Sequence, residues 1–212
     1  MLALRRPHAA ESRMASLMLL PILADLQRLK RLDRTGWVLR GLAPGAESVA
    51  AHSYGVAVAA MLLADRVRAR GVELNAERVL RLALLHDLAE ARTGDMPRTM
   101  AEYYGAEVRR RAEGLAFADA VSGLDEPLRA EYERLHEDYE ERASVEARLV
   151  KAADIVDLLA QALTFERGGA RELDEFWEGA QERDFGLEGA AREVVAETVA
   201  ALVAARAELR RA

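Results

Sequence analysis

The 212 residues carry 30 Lys and Arg against 36 Asp and Glu, a formal net charge of −6, and 51% of them are apolar. That length suits one well-buried domain rather than two, and the acidic balance argues against a nucleic-acid surface, which needs a basic excess for phosphate contacts. With no cysteine in the chain, disulfides, thiolate metal sites and cysteine nucleophiles are excluded together, and any metal falls to His and carboxylates.

Residues 1–13 contain no apolar run, so they read as a flexible tail rather than a secretory signal, with the cytoplasm as the default compartment. No stretch approaches the roughly eighteen uninterrupted apolar residues of a membrane span. From Met14 onward the chain is rich in Ala, Leu, Glu and Arg, and its apolar positions recur at three and four rather than two. The expected class is all-α, with helices over Ser16–Leu32, Ser48–Arg70, Asn75–Arg92, Thr99–Ser122, Asp125–Arg142, Ser144–Arg167 and Gly186–Arg210. Asn75 is placed to N-cap its helix, Thr99 and Glu102 form a capping box, and Gly71, Gly94, Gly168 and Gly169 stand where helices should stop. Pro21 predicts a kink in the first helix or a later start. Gly36–Gly45 is the longest expected loop, and the cluster Arg28, Lys30, Arg31, Arg34 and Arg40 just before and within it is either a solvated basic helix end or an attraction for a small anion.

Three of these helices carry polar groups on their apolar faces. Val79, Leu82, Ala83, His86 and Glu90 share one stripe, and Asp87 follows His86 directly. His52 shares a stripe with Val56, Ala59, Leu63 and Val67; Asp154 lies between Val150 and Leu158 with Ile155 beside it. A buried carboxylate needs a partner. One divalent cation meeting two imidazoles and two carboxylates satisfies all three helices at once, where separate structural explanations need three unrelated hydrogen-bond networks. His136 lies in the acidic stretch Glu133–Glu141 and is expected to be a solvated surface residue, His8 falls in the tail, and Trp177 is assigned to packing. No P-loop or Rossmann glycine pattern occurs.

The strings Arg34–Val38, Glu47–Ser53, His86–Glu90, Thr93–Pro97 and Lys151–Asp154 together resemble the HD-domain metal-dependent phosphohydrolases, and within them the 5′-deoxynucleotidases. The resemblance implies that residues 14–212 form a single HD-domain helical bundle. It also implies that His52, His86, Asp87 and Asp154 hold one divalent transition-metal ion, and that Glu90 and Asp95 match the acidic residues of the nucleotidase site. Imidazole with carboxylate suits Mn, Fe, Co, Ni or Zn better than Mg; the resemblance implies activity with Mn²⁺ or Co²⁺, and a homodimer. With only His136 between the doublet and Asp154, a mononuclear site is expected.

Glu90 is the first candidate for proton transfer and Asp95 the second. Arg34 offers forked donors that suit phosphate and Trp37 a flat face for sugar or base, with Arg40 as a spare, while Lys151 suits either phosphate or the helix surface. Val194, Val195, Val199, Leu202 and Val203 of the last helix make either an interface or a lid on the core. The expected activity is hydrolysis of deoxyribonucleoside 5′-monophosphates to deoxynucleoside and phosphate. The alternatives left open are another nucleotide or phosphorylated small molecule as substrate, and a non-catalytic nucleotide- or metal-binding regulator.

Overall fold

Side-chain caps fix where three of the long helices begin. In the computed structural model, which describes residues 18–211, Ser48 accepts from the Ala51 N–H, Asn75 from Arg78 and Ser144 from Ala147. Each satisfies an amide that the first helical turn leaves without a partner. The helices are α1 (Leu20–Leu29), α2 (Thr35–Val38), α3 (Val49–Ala69), α4 (Ala76–Leu85), α5 (Glu90–Thr93), α6 (Arg98–Tyr104), α7 (Ala106–Val121), α8 (Glu126–Glu141), α9 (Val145–Arg167), α10 (Asp174–Trp177) and α11 (Gly189–Leu209). Among the described residues no strand forms; Asp33 and Ser48 make an isolated bridge that closes the loop ahead of α3. The expected tail and His8 lie outside the described residues.

Four boundaries depart from the expected ones. α1 begins at Leu20, with Pro21 in its first turn, where a missing amide hydrogen costs no helical bond. The expected helix over Asn75–Arg92 is interrupted at the His86-Asp87 doublet and resumes as α5. His86 Nδ1 lies 2.8 Å from the Ala83 carbonyl, the acceptor that the Asp87 amide takes in a continuous helix. The chain tightens there through three-residue bonds from Leu88 to Leu85, Glu90 to Asp87 and Ala91 to Leu88. Thr99 lies inside the first turn of α6 instead of capping it, and Gly105, at φ 81°, divides the expected Thr99–Ser122 helix into α6 and α7. The loop Gly36–Gly45 begins inside the short helix α2.

α9 is the central helix, packed against α3, α4, α8 and α11. Its buried Leu149, Val150 and Leu159 meet Val56, Leu63 and Val67 of α3 and Val79 and Leu82 of α4 in the main core. Burial of each such side chain contributes about 1.5–3 kcal/mol. Val194, Val195 and Val199 of α11 belong to this core, with Leu202 and Val203 packed on it. A second cluster of Leu29, Val49, Leu88, Phe117 and Val121 seats α1 against α5 and α7. Fully buried Asp25 accepts from Arg28 and Arg92, tying α1 to the turn that carries Glu90. Trp177 is buried, with the Arg206 guanidinium 4.7 Å over its ring. No helix among the described residues is long and apolar enough to cross a membrane.

Candidate metal centre

The four expected ligands come from α3, the turn after α4, and α9; three of them cluster, and Asp154 joins the cluster beside His52. The ligand atoms of His52, His86 and Asp87 lie within 4.8 Å of one another. His52 Nε2 stands 3.3 Å from Asp154 Oδ1 and 3.7 Å from Asp87 Oδ2, and His86 Nε2 stands 3.1 Å from Asp87 Oδ2. Both histidines are buried, and neither Nε2 has a hydrogen-bond partner among the described residues.

The opposite ring nitrogens are held. His52 Nδ1 lies 2.8 Å from Asp157 Oδ2, and His86 Nδ1 lies 2.8 Å from the Ala83 carbonyl. A carboxylate or carbonyl accepts, so each Nδ1 donates, and in the neutral imidazole each Nε2 is left with a lone pair directed at the cluster. Two buried, orphaned imidazole lone pairs facing two carboxylates form a donor set that a divalent transition-metal ion satisfies. An ion therefore fits the residues present.

Cations and burial set the charge states around this point. Burial pushes the Asp87 carboxyl upward, but His86, Arg34 and His52 outweigh it and hold the group well below the usual carboxylate range. Asp154 is likewise held low despite burial, chiefly by Lys151, whose Nζ lies 2.7 Å from Asp154 Oδ2, and by His52. Burial and Arg34 pull His52 down, yet Asp154 and Asp157 raise it to about 9. Glu90 is 5% exposed and its Oε2 has no partner among the described residues. Burial, then repulsion from Asp87 and Asp95, pushes its carboxyl up to about 10.

A cleft of about 510 Å³ opens beside the centre, lined by Asp87, Glu90, Asp95, Lys151 and Asp154 on one side and by Phe176 and Phe185 on the other. Arg34 also lines it, donating to Asp87 at 3.3 Å and standing 3.9 Å from Asp95. Asp95 is occupied by the loop that carries Arg34: its Oδ2 accepts from the Thr35 amide and its carbonyl from the Thr35 hydroxyl.

Three expectations change. Trp37 is 1% exposed: its indole packs against Phe165 and Phe176, with centroids 5.1 and 4.5 Å away, and its N–H donates to Glu47. It reaches the cleft as part of its wall and is not an open stacking face; the aromatic neighbours across Phe176 claim that surface. Arg40, the spare phosphate candidate, is committed to Glu175 through both its Nε and Nη2. His136 is half-buried instead of solvated, stacked on Phe117 at 4.2 Å.

Three further residues stand at the centre without an expectation from the sequence: Asp157, Glu47 and Tyr139, whose ring lies 5.5 Å from His86. The Asp157 signal was present: it sits one turn beyond Asp154 on the same helix, and Gly55, in the interior of α3 where glycine is unfavourable, announces a close approach.

This all-helical bundle, with two buried histidines and two aspartates gathered beside a cleft, defines a class. The HD domain family matches residues 26–185, and the chain belongs to it. Among its relatives, human 5′-deoxynucleotidase HDDC2 is 39% identical over 148 residues, covering 70% of this chain and 68% of that protein. The 5′-deoxynucleotidase hdd1 of Schizosaccharomyces pombe is 34% identical over 171 residues, covering 77% and 82%. The crystal structure of the PH0347 protein from Pyrococcus horikoshii superimposes with a TM-score of 0.72 at 33% identity, over 88% of this chain and 99% of that one.

Proposed function

We propose that the protein is a 5′-deoxynucleotidase that hydrolyses deoxyribonucleoside 5′-monophosphates to deoxynucleoside and phosphate. His52, His86, Asp87 and Asp154 hold one divalent transition-metal ion, with Mn²⁺ or Co²⁺ as activating ions in an assay. The observation that carries this reading is the pair of buried, unpartnered Nε2 atoms facing two carboxylates at the end of a cleft. A space of about 510 Å³ suits a mononucleotide, and the substrate class follows the relatives named 5′-deoxynucleotidase.

When bound, the ion activates a water and offsets charge on the phosphoryl oxygens. The residues of the chain do the rest. Arg34 directs its forked guanidinium into the cleft, where its donors suit phosphate oxygens. Glu90, whose carboxyl is pushed up by burial and by the charges of Asp87 and Asp95, donates its proton to the leaving 5′ oxygen as the phosphorus–oxygen bond breaks. Asp95 positions Arg34 by holding the Thr35 amide. Lys151 and Tyr139 fix Asp154 and His86 against α8 and α9. A homodimer belongs to the same reading, with exposed Leu20, Leu23 and Leu26 offering an apolar face.

Phosphate release from deoxyribo- and ribonucleoside monophosphates, after removal of metal and return of Mn²⁺, Co²⁺ or Zn²⁺, tests the reading. Metal-dependent turnover that favours the deoxy substrates and vanishes in Asp87→Ala supports it. Bound metal without turnover of any monophosphate refutes it.

A further inference from the structure

Holding a metal with His52 requires more than the presence of an imidazole on α3. The ring rotates about two side-chain bonds, and only one tautomer offers Nε2 as a ligand. We propose that Asp157 is a positioning residue that sets the tautomer and orientation of His52, and that Gly55 is glycine so that Asp157 can reach it. The proposal rests on the reading of His52 as a metal ligand.

Three observations carry it. Asp157 Oδ2 lies 2.8 Å from His52 Nδ1, on the side of the ring away from Asp87 and Asp154. His52 is 1% exposed, so Asp157 and not bulk water supplies the acceptor for its Nδ1–H. Gly55 lies one turn after His52 on α3, and a Cβ built there meets Asp157 Oδ1 at 2.1 Å and Cγ at 2.7 Å. Among the described residues, no other glycine has a carboxylate in that space. α3 therefore carries a residue unfavourable to the interior of a 21-residue helix, and what it gains is room for one carboxylate against one imidazole. The φ of Gly55 is ordinary, so backbone strain is not the reason for it.

The arrangement differs from that of His86, whose Nδ1 is held by a carbonyl of its own helix. His86 is oriented locally; His52 depends on a side chain from α9. Binding of the ion is thereby coupled to the seating of α3 on α9, the pair of helices at the centre of the fold.

Metal affinity provides a readout separate from turnover. Co²⁺ is titrated into the metal-free full-length protein, by calorimetry and by its visible absorption, for the unmodified chain, His52→Ala, Asp157→Ala, Asp157→Asn and Gly55→Ala. Loss of an orienting partner of this kind weakens metal binding by about 10–100-fold. Asp157→Ala is expected in that range with an altered Co²⁺ spectrum. Asp157→Asn, which keeps an acceptor oxygen for Nδ1–H, should recover most of the affinity. Gly55→Ala leaves every ligand in place but fills the space of the Asp157 carboxylate, so it should weaken Co²⁺ as Asp157→Ala does. The double variant should be no weaker than either single one. If His52→Ala weakens Co²⁺ while Asp157→Ala and Gly55→Ala bind it normally, the positioning role is wrong although His52 remains a ligand. If His52→Ala also binds normally, the ligand reading fails and the role of Asp157 falls with it.

Discussion

Two neighbouring pockets of this protein use the same residue types to opposite ends. In the metal centre, His52 and His86 each have one ring nitrogen held and the other aimed at carboxylates. In a cavity of about 550 Å³ that shares His86, Asp87 and Glu90 with that centre, His136 lies near Glu113 and Glu140, but neither of its buried nitrogens has a partner among the described residues. Its ring lies flat on Phe117, with 6° between the planes. Counting histidines and acids does not separate the two. The difference is an acceptor on the far nitrogen, which turns a buried imidazole into a directed lone pair. Without one, His136 behaves as an aromatic filler that burial keeps neutral.

The comparison predicts its largest contrast in metal dependence. Asp154→Ala should abolish stoichiometric Mn²⁺ or Co²⁺ binding and reduce turnover by about 10³-fold or more, the equivalent of several kcal/mol of charge stabilisation. His136→Phe, in the next cavity, should leave both within about threefold. Metal content by elemental analysis together with kcat checks the pair; a metal-deficient His136→Phe would mean that the two pockets form one site.

Next in size is the contrast between two glutamates. Glu90 and Glu113 both line the second cavity, but Glu90 also faces the cleft with an unpartnered oxygen, whereas Glu113 accepts from Arg109 at 2.7 Å. Glu90→Gln should lower kcat by about 10²–10⁴-fold while retaining the metal, the usual range for a general acid. Glu113→Gln should lower it by less than about tenfold. Equal losses would move the proton donor away from Glu90.

The two histidine environments also differ in the sign of their pH response. Burial lowers His136 to about 4 from an ordinary 6.5, so between those values the unfolded chain binds a proton that the folded chain refuses. Stability is complete above 6.5 and falls as pH drops toward 4, by about 2–3 kcal/mol. His136→Phe should flatten that acid limb. In the metal-free protein His52 is raised to about 9, so its contribution is complete below 6.5 and is lost as pH rises through 9. Urea denaturation of metal-free protein across this range, with and without His136→Phe, separates the limbs; an acid limb that persists in the variant refutes the assignment to His136.

These contrasts also mark what the amino-acid order reveals. The ligand stripes on α3, α4 and α9 follow helical spacing, so His52, His86 and Asp154 were legible as inward-facing polar groups before any contact was known. The interruption of α4 was not, because His86 stops its helix with a side-chain bond to Ala83 rather than with Gly or Pro. The far wall of the cleft was also hidden. Phe176 and Phe185 come from segments distant in the chain, and a tryptophan beside an arginine looks alike whether its ring is open or covered by Phe165 and Phe176. His136 was misread for a related reason: acidic neighbours at single-residue spacing describe the exposed side of α8, while the packing partner Phe117 is on α7.

The smallest expected effect tests the covered indole. Trp37 donates to Glu47, whose carboxyl is raised first by burial and lowered again by that same N–H. Trp37→Phe keeps an aromatic ring between Phe165 and Phe176 but leaves Glu47 without that donor. The cost should be about 1–3 kcal/mol of folding stability, the range for a buried acceptor losing its partner. Because the indole forms part of the wall and presents no free face, KM for a deoxyribonucleoside monophosphate should change by less than about threefold, a ratio worth under about 1 kcal/mol. Thermal melting and steady-state kinetics on the same preparation separate the two quantities. A large rise in KM with unchanged melting would mean that the ring turns out of its pocket to meet the nucleoside, and the cleft would then have to open between α2 and α10 to let it do so.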